Sequence, residues 1–196
     1  MEQICSNIAN NLSSKLNLSE QDTLTLAYGL HLVWDSITKT LILFLGGAML
    51  GFGKEVVITY CLLAFFRAFM GGVHLGSYMS CLITHSIILF VILFGASNLD
   101  INIYLLILSY LLGLLSIMKY VPRGTEYRPI VSKREKKRFK LKALTVLIVT
   151  FIISFFIPIF YRNVLVLSLV ITIIFLLPIT YKLFNVTTGE ITITED

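Results

Sequence analysis

Residues 82–118 read LITHSIILFVILFGASNLDINIYLLILSYLLGLLSIM, and this stretch decides the fold class. Asp100 is its one acidic residue and it holds no Lys or Arg, so two uncharged runs, 82–99 and 101–118, flank a single charged turn. An 18-residue helix at 1.5 Å per residue covers ~27 Å, close to the hydrocarbon thickness of a bilayer. Similar runs occupy 36–53, 56–70, 143–161 and 164–181, interrupted only by Lys39 in the first and Arg67 in the second. Six runs predict an all-α polytopic membrane protein with six transmembrane helices. Composition agrees: 57% of residues are hydrophobic and 14% charged, against roughly 45–50% and about 25% in soluble domains. With 196 residues committed in this way, no room remains for a large soluble catalytic domain. The run 56–70 is short and meets Arg67 and then Gly71-Gly72, which predicts a helix broken near one membrane surface.

Charge sets the orientation. Residues 119–142 hold ten Lys/Arg against Glu126 and Glu135, a net +8 in a chain of net +5. The positive-inside rule places this loop in the cytoplasm. Counting crossings outward then puts Asp100 and Lys54-Glu55 outside, the turn 70–81 inside, and both termini inside, with 182–196 a cytoplasmic tail. The chain reads as one membrane domain over 1–196, with spans 1–4 within 36–118 and spans 5–6 within 143–181. Ile4, Ile8, Leu12 and Leu16 recur at i,i+4, which predicts an amphipathic helix over 1–18 lying on the cytoplasmic leaflet. Ser19-Glu20-Gln21-Asp22 follows as a helix start of capping-box type. Asp35 and Lys39 are spaced to pair where that new helix enters the membrane. Pro158 and Pro178 fall in the last third of the fifth and sixth runs and predict kinks there. Gly47-x-x-x-Gly51 and Gly72-x-x-x-Gly76 have the spacing of close helix approach, compatible with a homodimer. Residues 1–23 lack a basic n-region and an apolar core, so the start reads as mature protein.

The chemistry concentrates in residues 67–81, RAFMGGVHLGSYMSC, which place a cation, a base, a nucleophile and three glycines close together. Attack requires the thiolate, which a free cysteine of pKa about 8.5 forms only to a few per cent at neutral pH, so a neighbouring imidazole or cation must help. His74 and Cys81, seven residues apart, would stand ~10.5 Å apart along a continuous helix, too far for direct proton transfer. The chain must therefore fold back between them, and Gly71, Gly72 and Gly76 supply the freedom. A span beginning near Ser77 would set Cys81 in its first turns, where unpaired N–H groups favour an anion. By residue type and spacing alone, packing is the commoner role of such a His and Cys. His85 is a second candidate base, because i,i+4 spacing brings it within ~6 Å of Cys81 on one helix face. Hydrogen bonding between helices would equally account for it. A zinc site made of His74, Cys81 and His85 lacks the usual metalloprotease signature. Three cysteines without a CxxC pair suggest neither a disulfide framework nor a zinc knuckle. Cys61 reads as packing within an apolar run and Cys5 as incidental. No cofactor, metal or nucleic-acid partner is expected.

The combination R-x3-GG-x-H-x6-C, written here as Arg67, Gly71-Gly72, His74 and Cys81, resembles the accessory gene regulator B (AgrB) family of bacterial membrane endopeptidases. The resemblance implies that Cys81 is the nucleophile and His74 its general base, with Arg67, Gly71 and Gly72 in supporting positions. It implies as substrate a membrane-associated AgrD-type pro-peptide, whose C-terminal tail is removed on the way to a thiolactone or lactone autoinducer of quorum sensing. No third catalytic residue carries over from the motif. The basic residues Lys133, Arg134, Lys136, Lys137 and Arg138 would draw an acidic peptide tail or anionic membrane lipids. A small peptide transporter or exporter component is the alternative. Transport uses ionisable groups along a pathway, and the six runs hold only Lys39 and Arg67. A non-catalytic assembly or lipid-binding protein is a third reading, in which neither Cys81 nor His74 matters to phenotype.

Overall fold

A computed structural model of the chain describes residues 2–16, 18–72, 78–121 and 133–184. All of the regular elements among the described residues are α-helices. The chain divides into two compact units, Met1–Gly53 and Lys54–Asp196.

The first unit pairs α1 (Glu2–Leu16) with α2 (Glu20–Met49). Ser19 caps α2 as its spacing predicts: the hydroxyl accepts from the Asp22 N–H at 3.2 Å and donates to the Asp22 carboxylate at 2.7 Å. A hydrogen bond between Ser13 and Thr23 hydroxyls ties the two helices together. Cys5 and Ala9 are buried, while Ile8, Leu12 and Leu16 of α1 remain exposed. Helix α2 runs unbroken through the expected membrane entry, where Lys39 Nζ lies 3.7 Å from the Asp35 carboxylate. Its far end closes on Gly51 at φ +81, with the Phe52 N–H donating to Gly47 O at 2.7 Å. Gly51 thus closes the helix C-terminus, because glycine adopts that angle without strain.

The second unit holds α3 (Gly53–Met70), α4 (Tyr78–Asn98), α5 (Ile103–Tyr120), α6 (Lys133–Ile153), α7 (Ile159–Leu176) and the single turn and a half of α8 (Pro178–Leu183). Helix α7 is central, buried along most of its length between α4 and α5. It runs antiparallel to α4, with Leu167 against Gly95, and parallel to α5, with Leu169 against Gly113. Helix α6 lies antiparallel to α5, where Tyr110 meets Phe151 edge-on at 5.0 Å and Lys140 Nζ donates to Met118 O at 2.7 Å. Phe66 and Met70 of α3 join Leu106, Ile117, Leu169 and Leu176 in one core cluster. The buried hydroxyls of Thr59, Thr150 and Thr172 each donate to the carbonyl one turn back, as buried polar groups commonly do. By these pairings the end of α3, the start of α4, the end of α5, the start of α6 and the end of α7 share one end of the unit, the basic end.

Among the described residues, four helices are long and apolar enough to cross a membrane: Asp22–Met49 within α2, then α4, α5 and α7. The other two expected runs sit on helices with charged ends. Helix α3 carries Lys54, Glu55 and Arg67, and α6 opens with seven Lys/Arg in residues 133–142. The basic segment expected as a loop is therefore helical from Lys133 onward; residues 122–132 lie outside the described residues. The run 143–161 is not one helix. Helix α6 stops at Ile153, and Pro158, which disfavours helix in the residue before it, becomes the N-cap of α7. Pro158 thus separates two helices and does not kink one, and Pro178 likewise starts α8 after α7 has ended. Arg162 and Asn163, expected between spans, lie in the first turns of α7. The Arg162 guanidinium donates to Ile101 O at 3.1 Å, and the Asn163 amide donates to Leu99 O at 2.9 Å and Ala96 O at 3.3 Å, capping the end of α4.

Candidate active site

Helix α3 ends where its sequence runs into glycine. The Gly71 N–H still donates to Arg67 O at 2.9 Å, but Gly71 takes φ +82 and Gly72 φ +131, angles that side chains other than glycine rarely adopt. The turn passes over α7: a Cβ on Gly72 would stand 3.5 Å from the Cβ and the carbonyl oxygen of Phe175. Residues 73–77, which include His74, Gly76 and Ser77, lie outside the described residues. The described part of α4 opens at Tyr78, three residues before Cys81. The Cys81 side chain is buried, with 6% of its surface exposed.

One turn further along α4, His85 turns back onto Cys81. Its Nδ1 lies 2.8 Å from Cys81 O and 3.5 Å from Cys81 Sγ. Its Nε2 lies 3.5 Å from Nη1 of Arg67. The Arg67 guanidinium sits over the Phe175 ring at 5.3 Å, a cation–π distance, with Cys81, Tyr181 and Tyr60 within electrostatic reach. Tyr60, two turns before Arg67 on α3, packs its ring 5.8 Å from that of His85. A narrow crevice lies between these helices, apolar along Leu63, Ile88, Ile171 and Phe175, with Thr172 at one wall and Arg67 and His85 at its polar end. The cluster sets a thiol, an imidazole and a guanidinium beside an apolar wall. Among the described residues, no three His, Cys, Asp or Glu converge as a metal site would require.

Of the residues singled out in the sequence, Arg67 and Cys81 come together here, and Gly71 and Gly72 form the turn beside them. His85, weighed as a second base, lies against both. Arg134, Lys136, Lys137 and Arg138 are exposed on the first turns of α6, and Lys133 begins that helix, all at the basic end of this unit. Cys61 is exposed on α3 and not packed in an interior. Tyr60, Thr172, Phe175 and Tyr181 escaped the sequence reading. Tyr60 had a signal, since seven residues return to the same helix face as Arg67; the other three come from α7 and α8, which no local spacing links to Cys81.

Residues 5–181 match the family described as Accessory gene regulator B. This chain belongs to the accessory gene regulator B family. The match takes in α3, α4 and α7 and so the whole cluster around Cys81. Among similar proteins is a "Putative AgrB-like protein" of Clostridium acetobutylicum, 27% identical over 94% of this chain and 89% of that protein. The "Accessory gene regulator protein B" of Staphylococcus aureus strain JH9 is 30% identical over 87% of this chain and 90% of its own length, and that of strain bovine RF122/ET3-1 is 28% identical over the same shares. No solved structure matches. Membership of the AgrB family supports a role in accessory gene regulator quorum sensing, and the family is linked to the AgrD peptide system.

Proposed function

We propose that the chain is a cysteine endopeptidase of the bacterial cytoplasmic membrane that removes the C-terminal tail of an AgrD-type pro-peptide. The observation that carries this reading is the company Cys81 keeps: a buried thiol 3.5 Å from an imidazole that itself meets a guanidinium. Cys81 attacks the scissile carbonyl as thiolate, the C–N bond breaks, and the departing amine takes the proton that His74 received from the thiol. The peptide is then held as a thioester on Sγ. A thiol or hydroxyl within the peptide gives its proton to His74 and displaces that sulfur, closing a thiolactone or lactone ring and returning the Cys81 thiolate. Exclusion of water by the surrounding lipid and helices favours ring closure over hydrolysis.

The orientation that serves this chemistry has the basic end in the cytoplasm, both termini inside and six crossings, α3 and α6 completing the count beside the four apolar helices. The exposed face of α1 then rests on the inner leaflet. Lys133, Arg134, Lys136, Lys137 and Arg138 attract the acidic tail of the precursor and anionic headgroups, at about 1 kcal/mol per basic residue near the surface.

The test is cleavage of the cognate pro-peptide by the protein in liposomes. Cys81→Ala and His74→Ala each abolish tail release, whereas Cys61→Ala leaves it at the parental rate. Tail release that persists in Cys81→Ala ends the reading.

A further inference from the structure

Two hydrogen-bonding partners of His85 independently demand the same tautomer. Cys81 O, 2.8 Å from Nδ1, is a carbonyl and only accepts, so Nδ1 carries a proton. Arg67 Nη1, 3.5 Å from Nε2, belongs to a guanidinium and only donates, so Nε2 presents its lone pair. His85 is thus a neutral imidazole with a defined direction, and its Nδ1–H points into the space where Cys81 Sγ lies 3.5 Å away. A ring nitrogen that already holds its proton cannot take one from the thiol.

We infer that His85 is a positioning residue and not the general base: its Nδ1–H, shared between the Cys81 carbonyl and Sγ and polarised through Nε2 by Arg67, stabilises the thiolate form of Cys81. The role rests on the proposed use of Cys81 as nucleophile, and it deepens that reading by separating two tasks. His74 removes the proton, and the Arg67–His85 pair holds the sulfur as an anion once it has gone. The titratable and charged groups facing the pair among the described residues are Tyr60 and Arg67 from α3, Tyr181 from α8 and Cys81 itself. Arg67 is the one cation among them, so it supplies the field that the relay carries.

The experiment uses the full chain in lipid nanodiscs with Cys5 and Cys61 replaced by Ser, so that Cys81 is the only thiol. In His85→Ala the rate of alkylation by iodoacetamide near neutral pH falls about tenfold, the worth of one charge-assisted hydrogen bond, and the loss vanishes at alkaline pH where the thiol ionises unaided. His85→Asn, which keeps an N–H donor near the position of Nδ1, retains most of the rate. In tail release kcat follows the same order and KM is unchanged. In parental protein carrying 15N-histidine, the His85 ring shows a protonated Nδ1 and a bare Nε2, a readout that needs no substitution. An alkylation profile in His85→Ala that superimposes on the parent, an Asn variant as impaired as Ala, or the opposite tautomer each overturns the proposal. Alkylation and ring nitrogen shifts need no peptide, so loss of tail release alone, with both of these intact, counts against the peptidase reading and leaves the relay standing.

Discussion

Gly71 and Gly72 turn the chain out of α3 with backbone angles that an L side chain enters at a cost of about 1–2 kcal/mol per residue. A Cβ on Gly72 would meet Phe175 at ordinary contact distance, so strain and not crowding is what an alanine there introduces. Gly71→Ala and Gly72→Ala should each lower stability by about 1–2 kcal/mol in a detergent melt. Tail release should fall more steeply than stability, because the same turn leads to His74; unchanged cleavage in both variants would show that the turn does not set the site. At this scale much was legible. A glycine pair after an arginine announces a sharp exit from a helix, and the i,i+4 spacing of Cys81 and His85 announces their contact. The direction of the His85 ring was not legible, because it depends on Arg67 arriving from another helix.

Asn163 illustrates why element boundaries were harder to read. Hydropathy treats Arg162-Asn163 as a break between spans, yet from within α7 Asn163 caps the end of α4 and Arg162 holds the Ile101 carbonyl just ahead of α5. A polar residue that satisfies backbone carbonyls at a helix end belongs inside its own helix as readily as between two. Asn163→Leu should lower the melting temperature in detergent by the equivalent of about 1–3 kcal/mol, since two carbonyls lose their donor. A melt identical to the parent would mean that other donors serve those carbonyls. Pro158 was visible as a helix breaker, but whether it kinks or ends a helix depends on what packs beside it. Here α7 inserts between α4 and α5 only from Ile159 onward.

Across the whole molecule, charge asymmetry and helix pairing agree on one basic end. That end of the second unit gathers the opening of α6, with its exposed Arg134, Lys136, Lys137 and Arg138, and the Cys81 cluster, while Asp100 lies in the turn between α4 and α5 at the other. In a background without native cysteines, Lys137→Cys should react with an impermeant maleimide only after the membrane is opened, and Asp100→Cys should react in intact cells. The reverse pattern would place the proposed site outside. Membrane character, the Ser19 cap and the glycine exit from α3 follow from sequence alone, and Arg67, Gly71, Gly72 and Cys81 were candidates from sequence alone, because hydropathy, charge and turn chemistry act locally. The tertiary structure decided where α6 ends and α7 begins, which aromatic side chains wall the crevice, and that Arg67 and Cys81 flank the same imidazole. Those depend on which helices lie side by side, and helices that bury apolar faces against one another and against lipid leave no periodic trace of their partners in the chain.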